Sequence, residues 1–192
     1  MVGETTLQIN LSALKNNFKI LREKINENTM ILAVVKAFAY GSDAVKIAKY
    51  LENLGVNYFA VAYINEGVLL RQAGIKTPIL VLHPQPINFE LLLKFKLEPS
   101  LYSFNTLNTF IEVANASSEE NFPVHIKFNT GLNRLGFSEQ HMGEIIDVIK
   151  SNKNIHVKSV FSHLAASEDE KEQCFSLNQI ELFLNITKTF EA

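Results

Sequence analysis

The sequence predicts an α/β fold in which parallel strands alternate with helices. Six short apolar runs typical of strands are each followed by a segment whose apolar residues have helical spacing, and the connections are short. The run at residues 31–35 is continuously apolar, as in a strand buried on both faces of a parallel sheet. Right-handed βαβ winding is therefore expected. A doubly wound sheet and a (β/α)8 barrel both fit this alternation, and a barrel of about eight units and ~250 residues would be about two units longer.

The first half of the chain contains a predicted N-terminal helix followed by strand–helix units. Asn10 or Ser12 can cap the first helix, which continues through Leu21 at helical spacing. Strands are predicted at residues 30–35, 58–62 and 78–82. Helices are predicted at 43–54, 65–73 and 89–95. Gly55 and Gly74 are placed where glycines end helices.

The second half continues the same alternation. Strands are predicted at residues 98–101, 123–128 and 155–161. Helices are predicted at 105–116, 140–150 and 170–190. The polar stretch 117–121 is typical of a surface loop.

Composition limits the classes of protein that this chain can belong to. Hydrophobic residues make up 47% of the 192 residues and charged residues 20%, which is typical of a globular domain. The net charge of −2 without a basic block argues against a nucleic-acid or anionic-membrane partner. The single cysteine, Cys174, excludes an intrachain disulfide and fits a reducing compartment. No apolar run reaches the ~18 residues of a membrane span, and the N-terminus has no signal pattern, so a cytoplasmic protein is expected.

The stretch around Lys36 is the first candidate site. The predicted strand ends at Lys36, and α/β folds place their chemistry at the carboxyl ends of strands. Burial beside Val35, Ala37 and Phe38 would disfavour the charged ammonium, and a neutral amine can attack a carbonyl to form a Schiff base. The alternative is a lysine whose amine simply reaches solvent.

A second candidate site follows the fifth predicted strand. Lys127 and Asn129 lie two apart, so they face the same side of a strand. Gly131 and Gly136 bracket a turn that presents Arg134, whose fixed donors suit a phenolate, carboxylate or phosphate. The alternative is a polar surface loop with a solvated arginine.

Histidines supply one further candidate. His163 ends the sixth predicted strand, in the position that corresponds to Lys36 and Arg134 on other strands. His83 also ends a strand and is interpreted as structural, whereas His125 and His156 are expected to begin strands at the opposite rim. No zinc-ligand spacing, G-x-G-x-x-G string or P-loop is present, so no metal site is predicted.

Three stretches together resemble the alanine racemase family. Residues 34–41, VVKAFAYG, resemble its pyridoxal-phosphate lysine signature V-K-A-D/N-A-Y-G-H-G. Residues 127–137 are similar to K-x-D-T-G-M-G/N-R-L-G-F, and residues 162–169 resemble T-H-F-A-x-A-D/S-E. The departures from these patterns are Phe38, Ser42, Asp43, Asn129 and Leu132.

The resemblance implies a role for each candidate residue. Lys36 would form the internal aldimine with pyridoxal 5'-phosphate, and Tyr40 would be a ligand on the phosphate side of that cofactor. Arg134 would contact the cofactor's phenolic oxygen and a substrate carboxylate, supported by Asn129 and by Lys127, which is carbamylated in many members. His163 would lie beneath the pyridine ring.

The resemblance also implies the fold and the activity. Residues 1–192 would be the N-terminal pyridoxal-phosphate barrel domain, a (β/α)8 TIM-barrel type truncated after about six units, without the family's C-terminal β-domain. The activity would be interconversion of L-alanine and D-alanine for peptidoglycan synthesis, through α-proton abstraction in a homodimer. The piece alone is expected to be inactive, because the second base comes from the β-domain of the other subunit.

The residues that depart from the family pattern suggest a finer assignment and leave alternatives open. The string at 38–42, with residues 61–63 and 66–67, looks most like racemase domains fused behind a cell-wall precursor ligase. A single-domain pyridoxal-phosphate protein involved in cofactor homeostasis also uses a barrel lysine, but lacks the string at 130–137. A non-catalytic oligomerisation module is a further alternative.

Overall fold

A computed structural model describes residues 5–117 and 119–191 of the chain. The described residues form six parallel strands, seven α-helices and one short left-handed helical turn, which is labelled α2 below. After the first helix, each strand is followed by a helix. They divide into two compact units, one comprising residues 5–85 and 94–97 and the other residues 86–93 and 98–191. Predictions that concern residues 1–4, Ser118 and Ala192 lie outside the described residues.

The first unit is built from three parallel strands and the helices that connect them. Its elements are α1 (Leu11–Glu23), β1 (Leu32–Val34), α2 (Lys36–Gly41), α3 (Ala44–Asn53), β2 (Tyr58–Val61), α4 (Ile64–Gln72) and β3 (Ile79–Val81). Strand β2 pairs with both of the others, with Leu32 opposite Tyr58 and Phe59 opposite Ile79. All residues of β2 and β3 are buried, which explains their uninterrupted apolar sequences.

The second unit repeats this arrangement. Its elements are most of α5 (Phe89–Phe95), then β4 (Glu98–Leu101), α6 (Phe104–Ala116), β5 (Phe122–Lys127), α7 (Met142–Lys150), β6 (Ile155–Phe161) and α8 (Gln173–Glu191). Single 3₁₀ turns precede α5, α7 and α8. Strand β5 pairs in parallel with β4 and β6, and a bulge in β6 lets His125 face Ser159 after Val124 has faced Val157.

Side-chain caps start the helices where the sequence predicts them. The Asn10 side chain accepts from the Ala13 amide at 2.9 Å, so Asn10 and not Ser12 caps α1. Asp43 caps α3 through the Lys46 amide at 3.0 Å. The predicted boundaries of helices and strands agree with the observed ones to within a few residues, because caps, glycines and apolar periodicity all give the same limits.

Strand β1 corrects one expectation from the sequence. Its continuous apolar run predicted burial on both faces, yet Leu32 is 41% exposed and Val34 is 38% exposed. Within the described residues β1 pairs with β2 on one side only, and it is therefore an edge strand. Val35, which directly follows the strand, is buried.

A half-buried arginine closes the loop between α4 and β3. The Arg71 guanidinium donates hydrogen bonds of 2.7–3.1 Å to four backbone carbonyls, those of Ile75, Thr77, Phe95 and Lys96. Glu52, on α3, accepts from the Lys76 amide and from the amide and hydroxyl of Thr77 at 2.7–2.8 Å. Partial burial raises the pKa of Glu52, but the hydrogen bonds from Thr77 and Lys76 and the charge of Arg71 outweigh it and lower that pKa overall.

The lowered pKa of Glu52 predicts a loss of stability in acid. The ionised carboxylate stabilises the fold above the unfolded-state value of 4.5, and this contribution disappears as the pH falls through the lower folded-state pKa. We expect Glu52→Gln to be less stable than wild type at neutral pH and the difference to shrink towards about pH 3. Urea unfolding of both proteins at the two pH values measures this, and parallel pH profiles would contradict it.

Candidate functional site

Lys36 lies at the carboxyl end of β1. Val35 extends the pairing with β2, because its amide donates to the Ala60 carbonyl at 2.9 Å. Lys36 follows directly and is half-buried. The amine is therefore carried by a residue whose preceding backbone is fixed by a ladder hydrogen bond.

The residues after Lys36 form a left-handed turn. Ala37, Phe38, Ala39 and Tyr40 have φ angles of 50–57°, a region in which residues with a side chain are strained. Two backbone hydrogen bonds close the turn, from the Ala39 amide to the Val35 carbonyl at 3.0 Å and from the Ser42 amide to the Phe38 carbonyl at 2.8 Å. The turn leaves Phe38 71% exposed and Tyr40 69% exposed. Only Ala39 of the four is buried, so Lys36 is less enclosed than its apolar neighbours suggested.

Aromatic side chains occupy the ends of the other two strands of this unit. Tyr63 follows β2 and His83 follows β3, and their rings meet edge to face with centroids 5.7 Å apart. The His83 amide donates to the Ala62 carbonyl at 2.9 Å. The interpretation of His83 as a structural residue is consistent with both contacts.

In the second unit, Lys127 is the last residue of β5. It is 7% exposed, and its Nζ lies 5.8 Å from the centroid of the Phe161 ring at the end of β6. Such burial is rare for a lysine. The sequence identified Lys127 by its position but not by this burial.

Asn129 organises the loop that carries Arg134. Its Oδ1 accepts from the amides of Gly131 at 3.1 Å and Asn133 at 2.9 Å, and its Nδ2 donates to the Asn133 side chain at 2.9 Å. The loop returns to its start, because the Phe137 amide donates to the Lys127 carbonyl at 2.9 Å. Arg134 is exposed on this closed loop.

A buried glutamine joins this loop to the segment that contains His163. Gln179, on α8, is 1% exposed; its amide nitrogen donates to Thr130 Oγ1 at 3.3 Å and to the His163 carbonyl at 3.4 Å. Its oxygen accepts from the Ala165 amide at 3.0 Å. Thr130 also bonds the Ser162 hydroxyl at 2.8 Å. Gln179 was not predicted from the sequence, although a polar residue within an apolar helical stripe was the available signal.

Two more residues of this unit were missed or misplaced. Tyr102 directly follows β4, and burial raises the pKa of its phenol, which keeps the hydroxyl protonated at neutral pH.

His125 lies inside β5 rather than at its start; its Nε2 is 2.7 Å from Glu98 and its Nδ1 is 2.7 Å from Ser159. The expectation that His125 begins a strand was wrong, because β5 starts at Phe122.

Each unit thus collects its candidate residues at the carboxyl ends of its strands. Lys36 and Tyr40 follow β1 in the first unit, and Lys127, Asn129, Arg134 and His163 lie at or after the ends of β5 and β6 in the second. Within residues 5–117 and 119–191, no group of three or more His, Cys, Asp or Glu side chains could hold a metal ion. No helix in this part of the chain is long and apolar enough to cross a membrane.

Parallel strands with candidate residues at their carboxyl ends place the chain in the α/β class, which includes barrels and doubly wound sheets. Residues 9–192 match the family model described as "Alanine racemase, N-terminal domain". The chain belongs to the alanine racemase family.

Individual relatives agree with this assignment. Alanine racemase 1 of Caldanaerobacter subterraneus subsp. tengcongensis is 32% identical over 194 residues, which cover 99% of this chain and 49% of the relative. Alanine racemase 1 of Bacillus subtilis is 34% identical, over 94% of this chain and 46% of its own length. The chain spans about half the length of these relatives.

A solved structure confirms the fold class. Alanine racemase of Clostridium difficile 630, in complex with cycloserine, superposes with a TM-score of 0.90 at 33% identity. The match covers 95% of this chain and 50% of that one. The predicted TIM-barrel type of fold, present here as part of a barrel, is therefore confirmed.

The Arg134 loop depends on a glycine at its end. Gly136 has a φ of 137°, and an added Cβ would lie 2.5 Å from the Asn129 nitrogen and 2.6 Å from the Phe128 carbonyl carbon. We expect Gly136→Ala to destabilise the fold by roughly 2–4 kcal/mol, because backbone must move.

Gly143, on α7, is the matched control, since a Cβ there meets nothing within 4 Å. Gly143→Ala should stabilise the protein by roughly 0.5–1 kcal/mol. Urea denaturation measures both variants, and equal stability of the two would contradict the role of Gly136.

Proposed function

We propose that the complete protein is a pyridoxal-phosphate-dependent alanine racemase and that residues 1–192 form its N-terminal cofactor-binding barrel domain. The observation that carries the proposal is Lys36, a half-buried lysine directly after a parallel strand, in a chain of the alanine racemase family. The relatives named alanine racemase support the reaction.

The side chains present fit pyridoxal phosphate in their chemistry. Lys36 supplies a primary amine that would hold the cofactor covalently, and Tyr40 an exposed phenol for the phosphate side. Arg134 supplies a guanidinium for the phenolic oxygen, and His163 an imidazole for the ring. These assignments follow the resemblance residue by residue. When bound, the cofactor supplies an electron sink that acidifies the α-hydrogen of an amino acid.

The residues of this chain would perform the remaining work. The Lys36 amine can take the α-proton from one face of the substrate in one direction of the reaction, and in the reverse direction its ammonium form can deliver a proton to that same face. Arg134 can donate to the substrate carboxylate, and the Asn129 hydrogen bonds shape the backbone of the loop that carries Arg134. Lys127, buried at the base of the same loop, is the second supporting residue.

Racemisation needs a second proton-transfer group on the opposite face of the substrate. We assign that group to the remaining half of the protein, contributed across a homodimer, so that the 192 residues alone would be inactive. The half-length match to the relatives supports this assignment. The product would be D-alanine for peptidoglycan, made in the cytoplasm.

Replacement of Lys36 tests the cofactor assignment. Added to the complete protein, pyridoxal phosphate should give an absorption band near ~420 nm that borohydride fixes onto Lys36, and Lys36→Ala should abolish both. Lys49→Ala, which removes an exposed lysine on α3, is the matched control and should leave the band intact. A band that survives Lys36→Ala would refute the assignment.

Asn129 allows a separate test of the Arg134 loop. Asn129→Ala removes both amide acceptors and should lower kcat/KM for alanine about tenfold, mainly through KM. Asn129→Asp keeps the acceptor oxygen, and Asn133 can turn its amide to donate, so activity should remain within about threefold of wild type. Steady-state kinetics of the complete protein decide this, and equal losses in the two variants would count against the loop.

A further inference from the structure

The carboxylate of Glu66 connects two segments that are far apart in sequence. Glu66 lies in the first turn of α4 and is half-buried. Its Oε2 accepts from the amides of Ala62 at 2.7 Å and Tyr63 at 3.0 Å. Its Oε1 accepts from the amide of Ala37 at 2.6 Å. The same side chain therefore binds the start of α4 and the residue that follows Lys36.

The second of these contacts is not needed to cap α4. The bonds from Ala62 and Tyr63 to Oε2 already satisfy donors at the start of the helix. Ala37 lies 29 residues earlier, on the turn after β1, and its bond uses the other carboxylate oxygen. Hydrogen bonds to an ionised acceptor are stronger than those between neutral groups. Capping alone does not explain this arrangement.

The left-handed turn at residues 37–40 needs an external restraint. Each of its four residues has a positive φ that an L-residue disfavours, and such conformations persist only where surrounding structure fixes them. The two backbone bonds of the turn connect it to itself and to Val35. Glu66 also lines a small apolar pocket with Val35, Phe38 and Leu69, next to the turn.

We propose that Glu66 is the positioning residue for Lys36. The Ala37 amide belongs to the peptide bond that leaves Lys36, so holding it fixes the backbone on the carboxyl side of Lys36 while the β1–β2 pairing fixes the other side. The backbone from which the Lys36 side chain projects is then restrained on both sides. The inference rests on the proposed function for the role of the Lys36 amine, but the restraint on the turn is independent of it.

Glu66→Gln is the informative variant. A glutamine has one acceptor oxygen, so it cannot serve the Ala37 amide and the Ala62–Tyr63 amides together. Asp43→Ala is the matched control, because it removes a carboxylate cap directly after the same turn, from α3, without touching Ala37. Comparable losses of thermal stability are expected for the two, which separates capping from positioning.

Amide hydrogen exchange of the cofactor-free chain measures the restraint. We expect Glu66→Gln to speed exchange at Ala37, Ala39 and Ser42 by about tenfold or more, and Asp43→Ala to leave Ala37 within about twofold of wild type. Unchanged exchange at Ala37, or an equal increase in both variants, would overturn the proposal.

If Glu66→Gln fails to fold, we expect the additional substitution Ala37→Gly to restore folding, since glycine adopts a positive φ without strain. If folding is not restored, the turn after Lys36 is not the segment that Glu66 stabilises.

Borohydride trapping of pyridoxal phosphate in the complete protein measures the consequence for Lys36. Glu66→Gln should lower the rate of modification at Lys36 about tenfold, and Asp43→Ala should not. Equal trapping rates in Glu66→Gln and wild type would overturn the positioning role. If wild type itself shows no modified Lys36, the proposed cofactor function fails, and the exchange measurement alone decides whether Glu66 holds the turn.

Discussion

Parallel strand pairing is the constraint on which the rest of this structure depends. It aligns β1 with β2, and β5 with β6, so that the carboxyl ends of paired strands lie at the same edge of their unit. Lys36, Lys127 and His163 therefore lie at or just after the carboxyl ends of strands, although they are far apart in the sequence. The pairing also fixes the backbone up to Val35 and Lys127, the last points before the chain becomes irregular.

Beyond the strands, polar side chains rather than apolar packing hold the segments that carry the candidate residues of each unit. Glu66 holds the turn after β1, Asn129 closes the loop after β5, and Gln179 joins that loop to the segment after β6. Each uses a fixed acceptor or amide to satisfy backbone groups that neither helix nor strand satisfies. A hydrophobic contact could fill the same space but would not specify a direction, which a side chain that must meet a reacting atom requires.

The sequence predicted the regular elements because apolar periodicity, caps and glycines agreed with one another, as at Asn10, Asp43 and Gly55. The position of Lys36 at the end of a strand could also be predicted, because it is the first charged residue after a continuous apolar run. It could not predict the left-handed turn, because Ala37, Phe38 and Ala39 are residues without any preference for positive φ. The roles of Glu66 and Gln179 could not be predicted either, because they depend on contacts with residues that are distant in the sequence, such as Ala37 and Thr130.

The residues chosen for the turn after Lys36 show what the strain achieves. Glycine adopts a positive φ freely, yet within the turn at residues 37–41 a glycine occurs only at the last position, Gly41. Glycines throughout would remove the strain but would also let the segment sample many conformations, since glycine restricts the backbone least. Alanine, phenylalanine and tyrosine make the positive φ less favourable, but they also reduce the number of other backbone conformations that the segment can adopt. With β1 pairing on one side and the Glu66 carboxylate on the other, the strained conformation is the one that satisfies both restraints, and the backbone that carries the Lys36 side chain is restrained on both sides.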